Sequence, residues 1–516
     1  VIAVFILIIA CINFINLSTA RSVERAKEVG IRKTFGSEKK SLISQFLMES
    51  VLVSLLSITI AVALIVLLLP LFNKVAGREL SFSYFLNLEK IILLLLFAIV
   101  VGLVAGLYPA FILSSFKPIV VLKGKFKSNK YGMALRNGLV VFQFSISVIL
   151  IICTIIVSRQ MQFMLGDKLG FRKDHIIEIQ RTDLLDKKTQ SFKNELAKIP
   201  GVENISGGSS FPGQGNFFGI TFQDAGSGAR EPMTGRAVIV DDQFAAVLNI
   251  QLKEGRFFSK EFLTDSLAVV LNEKAVEELG LKNPIGARLT TTDENFNAPG
   301  GAPYYYTVVG VIKDFHFMSL HQKITPLVFA NARKFGDVSP VTAVRIKADN
   351  FAPALISIER LWKQFVPERP FHYDFLDRTL ANQYQAEQTT QRIFTIFSVL
   401  AIFIACIGLL GLAAYATQLR VREISIRKIL GASAGSIIGM LSKDFLKLII
   451  ISFVVAFPLA WWGMHTWLQN FAYRTAISWW IFILAGSIAA MIALLTISFQ
   501  AIKAALANPV NSLRTE

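Results

Sequence analysis

Seven predominantly apolar stretches without a charged residue run through this sequence: Val1–Ala20, Val51–Phe72, Ile91–Phe116, Asn137–Ser158, Ile393–Leu419, Leu448–Tyr473 and Thr475–Ile502. Each matches the roughly 20 residues that a helix needs to cross about 30 Å of hydrocarbon. Only 17% of the 516 residues are charged, against about a quarter in an ordinary soluble domain. The expected fold class is therefore a polytopic α-helical membrane protein, and disorder is excluded. Between the fourth and fifth stretches, Arg159–Arg392 has soluble composition and enough length for one or two water-exposed domains. Cys11, Cys153 and Cys406 all fall inside apolar stretches, which indicates neither a disulfide framework nor a cysteine metal site. The chain opens at Val1, already inside an apolar stretch that has no basic region before it and no small-residue cleavage site after it. This argues against a signal peptide and reads as a fragment of something longer.

The charge is placed as unevenly as the apolar residues. Arg159–Leu419 holds 28 Lys and Arg against 27 Asp and Glu, so 16 of the 17 net positive charges lie elsewhere. They sit in short loops: Arg21–Lys40 has seven basic and three acidic residues, Lys117–Arg136 six and none, and Arg420–Lys447 six and two. The alternate loops, Asn73–Lys90 and the stretch around Arg474, are almost neutral. Such alternation puts the basic loops and the C-terminus in the cytosol and Arg159–Arg392 outside. Basic runs that adjoin spans and lack interleaved aromatics do not read as a nucleic-acid surface.

Two of the basic loops repeat each other. Arg25-Ala-Lys-Glu-Val-Gly-Ile-Arg-Lys-Thr-Phe-Gly36 follows the first stretch, and Arg420-Val-Arg-Glu-Ile-Ser-Ile-Arg-Lys-Ile-Leu-Gly431 follows the fifth. At an offset of 395, six of twelve positions are identical: Arg25/Arg420, Glu28/Glu423, Ile31/Ile426, Arg32/Arg427, Lys33/Lys428 and Gly36/Gly431. The same offset pairs Glu49 with Asp444, one intramembrane acid near the cytosolic end of the next span in each half. Pro118–Lys123 also resembles Pro509–Arg514. Parallel repeats of this kind are common in transporters. The expected organisation is a three-span module of the first repeat (1–136), an entering span (137–158), an outside domain with stalk helices (159–392) and a three-span module of the second repeat (393–516). Seven spans are present on this reading and eight are expected in the intact protein. By symmetry, roughly 250 to 300 further residues would precede Val1.

The outside region reads as α+β with two lobes. Flanking β-α-β units, Asp174–Ser209 and Val341–Phe375, bracket a β-rich insert with strands at Ala237–Val240, Leu267–Asn272, Arg288–Thr291, Tyr305–Ile312 and Leu327–Ala330. Met161–Lys168 and Thr379–Arg392 read as polar helices continuous with the neighbouring spans, a stalk. Catalytic chemistry is not indicated. No G-x-x-x-x-G-K-[ST] phosphate loop occurs in the sequence, and the Gly-rich run Gly207–Gly219 reads as a surface loop. His316 and His321 beside Asp314 lack metal-site spacing. Gly102–Gly106 reads as a close helix contact, and Glu49 and Asp444 as locally paired acids, the latter with Lys443 or Lys447, rather than proton relays. The spans offer few polar groups from which a path for a polar solute could be lined.

The phrase E-[IV]-x-I-R-K-x-x-G directly after a span, present twice, closely resembles the FtsX/MacB superfamily of ABC transporter permeases, particularly the long two-repeat type of Bacteroidota. The phrases Gly255-Arg256-Phe257, Val270-Leu271-Asn272-Glu273, Asn283-Pro284-Ile285-Gly286 and Val308–His316 resemble the periplasmic core domain of that superfamily. The resemblance implies a permease without catalytic residues, cofactor or metal of its own. Two copies of a separate ABC-type ATPase subunit, carrying ATP and Mg, would bind its cytosolic face. Their closure would move stalk and periplasmic lobes to export or extract a hydrophobic or amphipathic substrate, such as an antimicrobial peptide, a macrolide or a lipoprotein. It also implies residence in the bacterial inner membrane and allows a periplasmic adaptor or substrate protein as a further partner. The alternative is a signal relay that controls a periplasmic cell-wall hydrolase. The elements expected to couple to the ATPase are Arg25, Glu28, Ile31, Arg32, Lys33 and Gly36, with Arg420, Glu423, Ile426, Arg427, Lys428 and Gly431. Arg420, Glu423, Arg427 and Gly431 would form one helical stripe, with the glycine as a close-approach point. Anchoring on anionic lipid needs positive charge, but not the repeated Glu, Ile and Gly.

Overall fold

The computed structural model describes residues 2–20, 22–76, 79–85, 87–115, 130–166, 169–226, 232–297, 304–336 and 339–506. It divides into two compact units: Val1–Arg159 with Gln388–Trp467 and Ala476–Glu516, and Gln160–Glu387 with Leu468–Thr475. The resemblance between Pro118–Lys123 and Pro509–Arg514 lies outside the described residues.

The first unit is helical. α1 (Ile2–Ala20), α2 (Ser22–Thr34), α3 (Lys39–Ala76), α4 (Leu88–Ser115) and α5 (Lys130–Leu165) precede the second unit, and α11 (Gln385–Leu419), α12 (Val421–Ile429), α13 (Ala434–Leu468) and α14 (Trp480–Leu506) follow it. Six of these, α3, α4, α5, α11, α13 and α14, are long and apolar enough to cross a membrane. The first apolar stretch forms a helix whose apolar part, Ile2–Ser18, is shorter. The candidate spans in α5 and α11 run for 32 and 34 residues, longer than the roughly 20 that hydrocarbon requires.

Small residues set how closely these helices pack. A Cβ on Gly102 would stand 2.8 Å from Val51 Cα, and one on Gly106 would stand 2.6 Å from Ser50 Cβ, so α4 lies tight on α3 at this G-x-x-x-G. A Cβ on Gly408 of α11 would collide with the Asn13 side chain of α1, whose amide donates to Ile404 O. Val140 and Phe144 of α5 join Leu409, Leu412, Ile449, Ala493 and Ile497 in one core. The helices hold more buried polar groups than the sequence suggests, among them Asn13, Asn16, Gln143, Ser145, Ser147 and Ser452. Helix-to-helix contacts such as Ser145 Oγ to Ser452 O (3.1 Å) satisfy some of them.

The second unit is the α+β region, and its two lobes differ in construction. In the first, β1 (Ile176–Gln180) lies between β10 (Val341–Ile346) and β11 (Tyr373–Phe375), with β2 (Val202–Gly208) on the far side of β10, all antiparallel. α6 (Thr189–Leu196) and α9 (Phe351–Phe365) cover one face, where Phe192, Ile358 and Trp362 meet Ile177, Ile179 and Val344. In the second lobe, β3 (Phe218–Asp224), β4 (Met233–Val240), β6 (Ala268–Asn272), β7 (Arg288–Thr291), β8 (Tyr306–Ile312) and β9 (Leu327–Asn331) pair in the cyclic order β4-β3-β7-β8-β6-β9-β4. The ring closes through a parallel β4–β9 ladder, and β5 (Leu252–Gly255) adds to β8. The β-rich insert is thus a closed six-stranded barrel, which removes its free edges. Ile220, Phe222, Val269, Leu271, Val308 and Val328 fill its core. A single register pair, Gly208↔Val240, joins the two lobes in the sheet.

Two expectations change here. Gly207–Gly219 is not a surface loop, because Gly207 and Gly208 end β2 and both Ser210 and Phe211 are fully buried. Thr379–Arg392 is not one helix. α10 (Leu376–Asn382) lies on β1 and β11, and a turn at Gln383 and Tyr384 separates it from α11. Two further helices complete this unit, α7 (Phe244–Leu248) and α8 (Glu273–Leu279).

Candidate coupling interface

Both repeated basic sequences are short helices that stop in the same way. In α2, Gly36 N–H donates to Lys33 O (3.1 Å) and Ser37 N–H to Arg32 O (3.0 Å); after α12, Gly431 N–H donates to Lys428 O (3.1 Å) and Ala432 N–H to Arg427 O (2.9 Å). This pair of bonds is the Schellman terminator, whose central residue must be left-handed. Gly36 and Gly431 have φ of +95° and +90°. A Cβ on either would meet nothing within 4 Å, so the dihedral angle requires glycine here.

The inner faces also correspond. Val29 and Ile424, paired at the offset of 395, are 2% and 4% exposed, and Ile424 packs with Ile437 and Ala501. The outer faces carry an i,i+4 ion pair each, Glu28–Arg32 at 2.7 Å and Glu423–Arg427 at 2.8 Å. Beside these pairs Ile31 and Ile426 are each 48% exposed, and one turn on, Phe35 and Leu430 stand out at 87% and 81%. The sequence reading missed Phe35 and Leu430. The signal was an apolar residue immediately before the glycine in both copies.

The other expected residues separate from this surface. Arg420 precedes α12, and its guanidinium meets Asp444 of α13 at 2.9 Å, so Asp444 pairs with Arg420 rather than with Lys443 or Lys447. The stripe therefore contains Glu423 and Arg427 but neither Arg420 nor Gly431. Lys33 Nζ donates to Ser114 O at the end of α4 (2.7 Å), and Arg32 Nη1 to Gln45 Oε1 of α3 (2.8 Å). Lys428 and Glu49 are half-buried. The side chain of Arg25 lies outside the described residues.

In the second unit the histidines serve packing. His316 sets its edge against Tyr473 (4.4 Å between centroids), and His321 lies between Phe471 and Tyr384 with Nε2 3.2 Å from Glu387. Among the described residues no cluster of His, Cys, Asp and Glu could hold a metal. The phrases shared with the core domain are structural as well. Arg256 grips Asp265 with two 2.7 Å bonds. Burial alone would raise the Asp265 carboxyl, but Arg256 and the Ser259 N–H bring it below the ordinary carboxylate value. Gly255 has φ +72°, and a Cβ on Gly310 would overlap Arg256 O. Asn272 caps α8 through Ala275 N–H and also accepts from Leu327 N–H.

Comparison with known proteins supplies the family. The FtsX-like permease C-terminal model matches residues 1–118 and 395–509, and the MacB-like periplasmic core domain model matches 139–355. The chain belongs to the FtsX/MacB-type ABC transporter permeases. The twofold FtsX match falls on the two halves of the sequence repeat, and its two segments contain α2 and α12. Relatives of this permease include the macrolide export ATP-binding/permease protein MacB of Bdellovibrio bacteriovorus, 34% identical over 122 residues. Its counterpart in Campylobacter jejuni is 30% identical over 121 residues. These matches cover 24% and 23% of this chain and 18% of each relative. Among solved structures, the periplasmic region of MacB from Actinobacillus actinomycetemcomitans aligns with a TM-score of 0.31 at 16% identity, over 43% of this chain and 98% of that one. The extracellular domain of the transporter YknZ from Gram-positive bacteria gives 0.28 at 17%, over 39% and 98%. By its two family models the chain is a membrane permease with an extracytoplasmic α+β domain.

Proposed function

We propose that this permease converts ATP hydrolysis on a separate ABC-type ATPase subunit into movement of its extracytoplasmic domain. That movement exports or extracts a hydrophobic or amphipathic substrate, of which macrolides, antimicrobial peptides and lipoproteins are candidates. The observation that carries the reading is the duplicated outer face of α2 and α12. Each copy offers an ion pair, a half-exposed isoleucine and a protruding apolar residue held by the same glycine terminator. A face on which charge and apolar surface alternate suits a groove in a protein. Two copies suit two ATPase subunits. In this reading the chain lies in the inner membrane of a bacterium, with its basic loops and C-terminus in the cytosol, and α5 and α11 carry the motion outward.

The test is recruitment with topology as a control. The ATPase subunit should co-purify with the wild-type permease and confer hydrolysis that the permease alone lacks; hydrolysis by the isolated chain would refute the division of labour. A cysteine at the exposed Thr264 should react with a membrane-impermeant thiol reagent in cells with a permeabilised outer membrane, and one at the exposed Ser37 should not. The opposite pattern would invert the topology and remove the ATPase-facing role of α2.

A further inference from the structure

The carboxyl of Glu178 is fully buried in the middle of β1, on the face opposite the α6–α9 layer. Thr379 Oγ1 of α10 donates to its Oε2 at 3.0 Å, whereas Oε1 is buried and has no partner. Two buried amide atoms at the same junction also lack partners, Gln214 Nε2 and Gln383 Oε1. Gln383 is bound through its other amide atom to Gly213 O. Among the described residues no cation pairs with the carboxyl. Across the ladder stand Asp374 of β11 and Ala343 of β10. The nearest buried guanidinium on that face, Arg345 of β10, is turned to the Val247 carbonyl. His372, Asp374, Asp377 and Arg378 are exposed, and the 209–217 loop carries no titratable group. A buried carboxylate without a countercharge is costly, so such a site favours the neutral acid. Burial, opposed by the hydrogen bonds and reinforced by Asp374, raises this carboxyl from 4.5 to about 7.

We propose that Glu178 is a proton-operated latch between the extracytoplasmic sheet and α10, the helix that leads through Gln383 and Tyr384 into the long helix α11. Neutral Glu178 keeps α10 docked; the ionised form is better solvated when α10 lifts away. The domain thereby senses the pH outside the membrane, whatever partner acts on the cytosolic side. The sign follows from linkage. A folded-state value above the open-state value makes docking strongest below pH 4.5. Opening then rises about tenfold per pH unit until about pH 7 and levels off above it.

Hydrogen exchange by mass spectrometry on the full chain in detergent tests this, following the peptide 376–384 and correcting for intrinsic exchange, with β10 as the internal reference. Opening of 376–384 should increase roughly fortyfold between pH 5 and 7, and β10 should stay protected. Glu178→Gln should remove the slope. Thr379→Val, which deletes the bond that favours the ionised form, should move the midpoint to higher pH. A flat wild-type profile, a slope retained in Glu178→Gln, or an unmoved midpoint in Thr379→Val would each overturn the latch.

Discussion

α2 and α12 are alike where they face outward, and each is fastened inward by its own described contacts. Both present a Glu–Arg pair, an isoleucine at 48% exposure and an apolar residue above 80%. Both end on a left-handed glycine. Inward, α2 is tied by Lys33 to the end of α4 and by Arg32 to α3, whereas α12 is tied by Arg420 to α13 and by Ile424 to α13 and α14. The outer surface has kept its pattern of ion pair, isoleucine and protruding apolar residue. This is the distribution expected if a second molecule reads both copies.

The largest effect should come from the protruding apolar residues, since well-packed apolar anchors dominate interfaces. Phe35→Asp together with Leu430→Asp should reduce ATPase-subunit recruitment at least a hundredfold, from roughly 2 kcal/mol lost at each site. Co-purification against a titrated ATPase subunit reads this, and equal loss from each single variant would confirm that the copies are equivalent. Unchanged recruitment would mean that the repeat is a membrane anchor. Next in size, Glu28→Lys with Glu423→Lys reverses a charge inside each pair and should weaken recruitment or uncouple hydrolysis, on the order of 2 kcal/mol across the interface. Anionic-lipid anchoring would instead be strengthened by added positive charge, so tighter membrane association with intact recruitment would contradict the protein-interface reading.

Much of this molecule was legible because its patterns are periodic and long. The apolar stretches became helices with little change, and β7 and β10 have the expected bounds, since their alternation has no competitor. What the sequence hid depends on context. β3 runs Phe218-Gly-Ile-Thr-Phe-Gln-Asp224 beside a Gly-rich segment, and its strand character comes from closing the barrel between β4 and β7. α7 has only five residues, too few to show a helical period. The Arg420–Asp444 pair joins residues 24 apart, which spacing cannot choose over the nearer Lys443 and Lys447. Gly36 and Gly431 were visible as repeated residues, but their role as left-handed terminators required backbone angles. Phe35 and Leu430 were overlooked because they are similar rather than identical.

A smaller effect should separate terminator from surface. Gly36→Ala or Gly431→Ala places a Cβ at positive φ, at a cost of about 1 to 2 kcal/mol, with no steric contact to add to it. Hydrogen exchange should show fraying of the last turn of the mutated helix alone. Recruitment should fall only a few-fold, because the ion pair sits a turn or more before the terminator. A loss as large as that of Phe35→Asp would show that the partner touches the glycine itself.

The smallest effect probes fastening alone. Arg420 and Asp444 are 39% and 64% exposed, and an ion pair that wet contributes less than about 1 kcal/mol and is screened by salt. Asp444→Asn should therefore loosen only the first turn of α12, where Arg420 stands next to Val421, raising hydrogen exchange there by a factor of about two to five. The same increase should appear in the wild type at high salt, and Asp444→Asn should leave α2 unchanged. Recruitment should stay within twofold of wild type, because neither residue belongs to the outer face. If Asp444→Asn instead weakens recruitment as much as Glu423→Lys, the acid is part of the partner's footprint. The division between an outer surface that the partner reads and an ion pair that only fastens the helix would then fail in the second half of the protein.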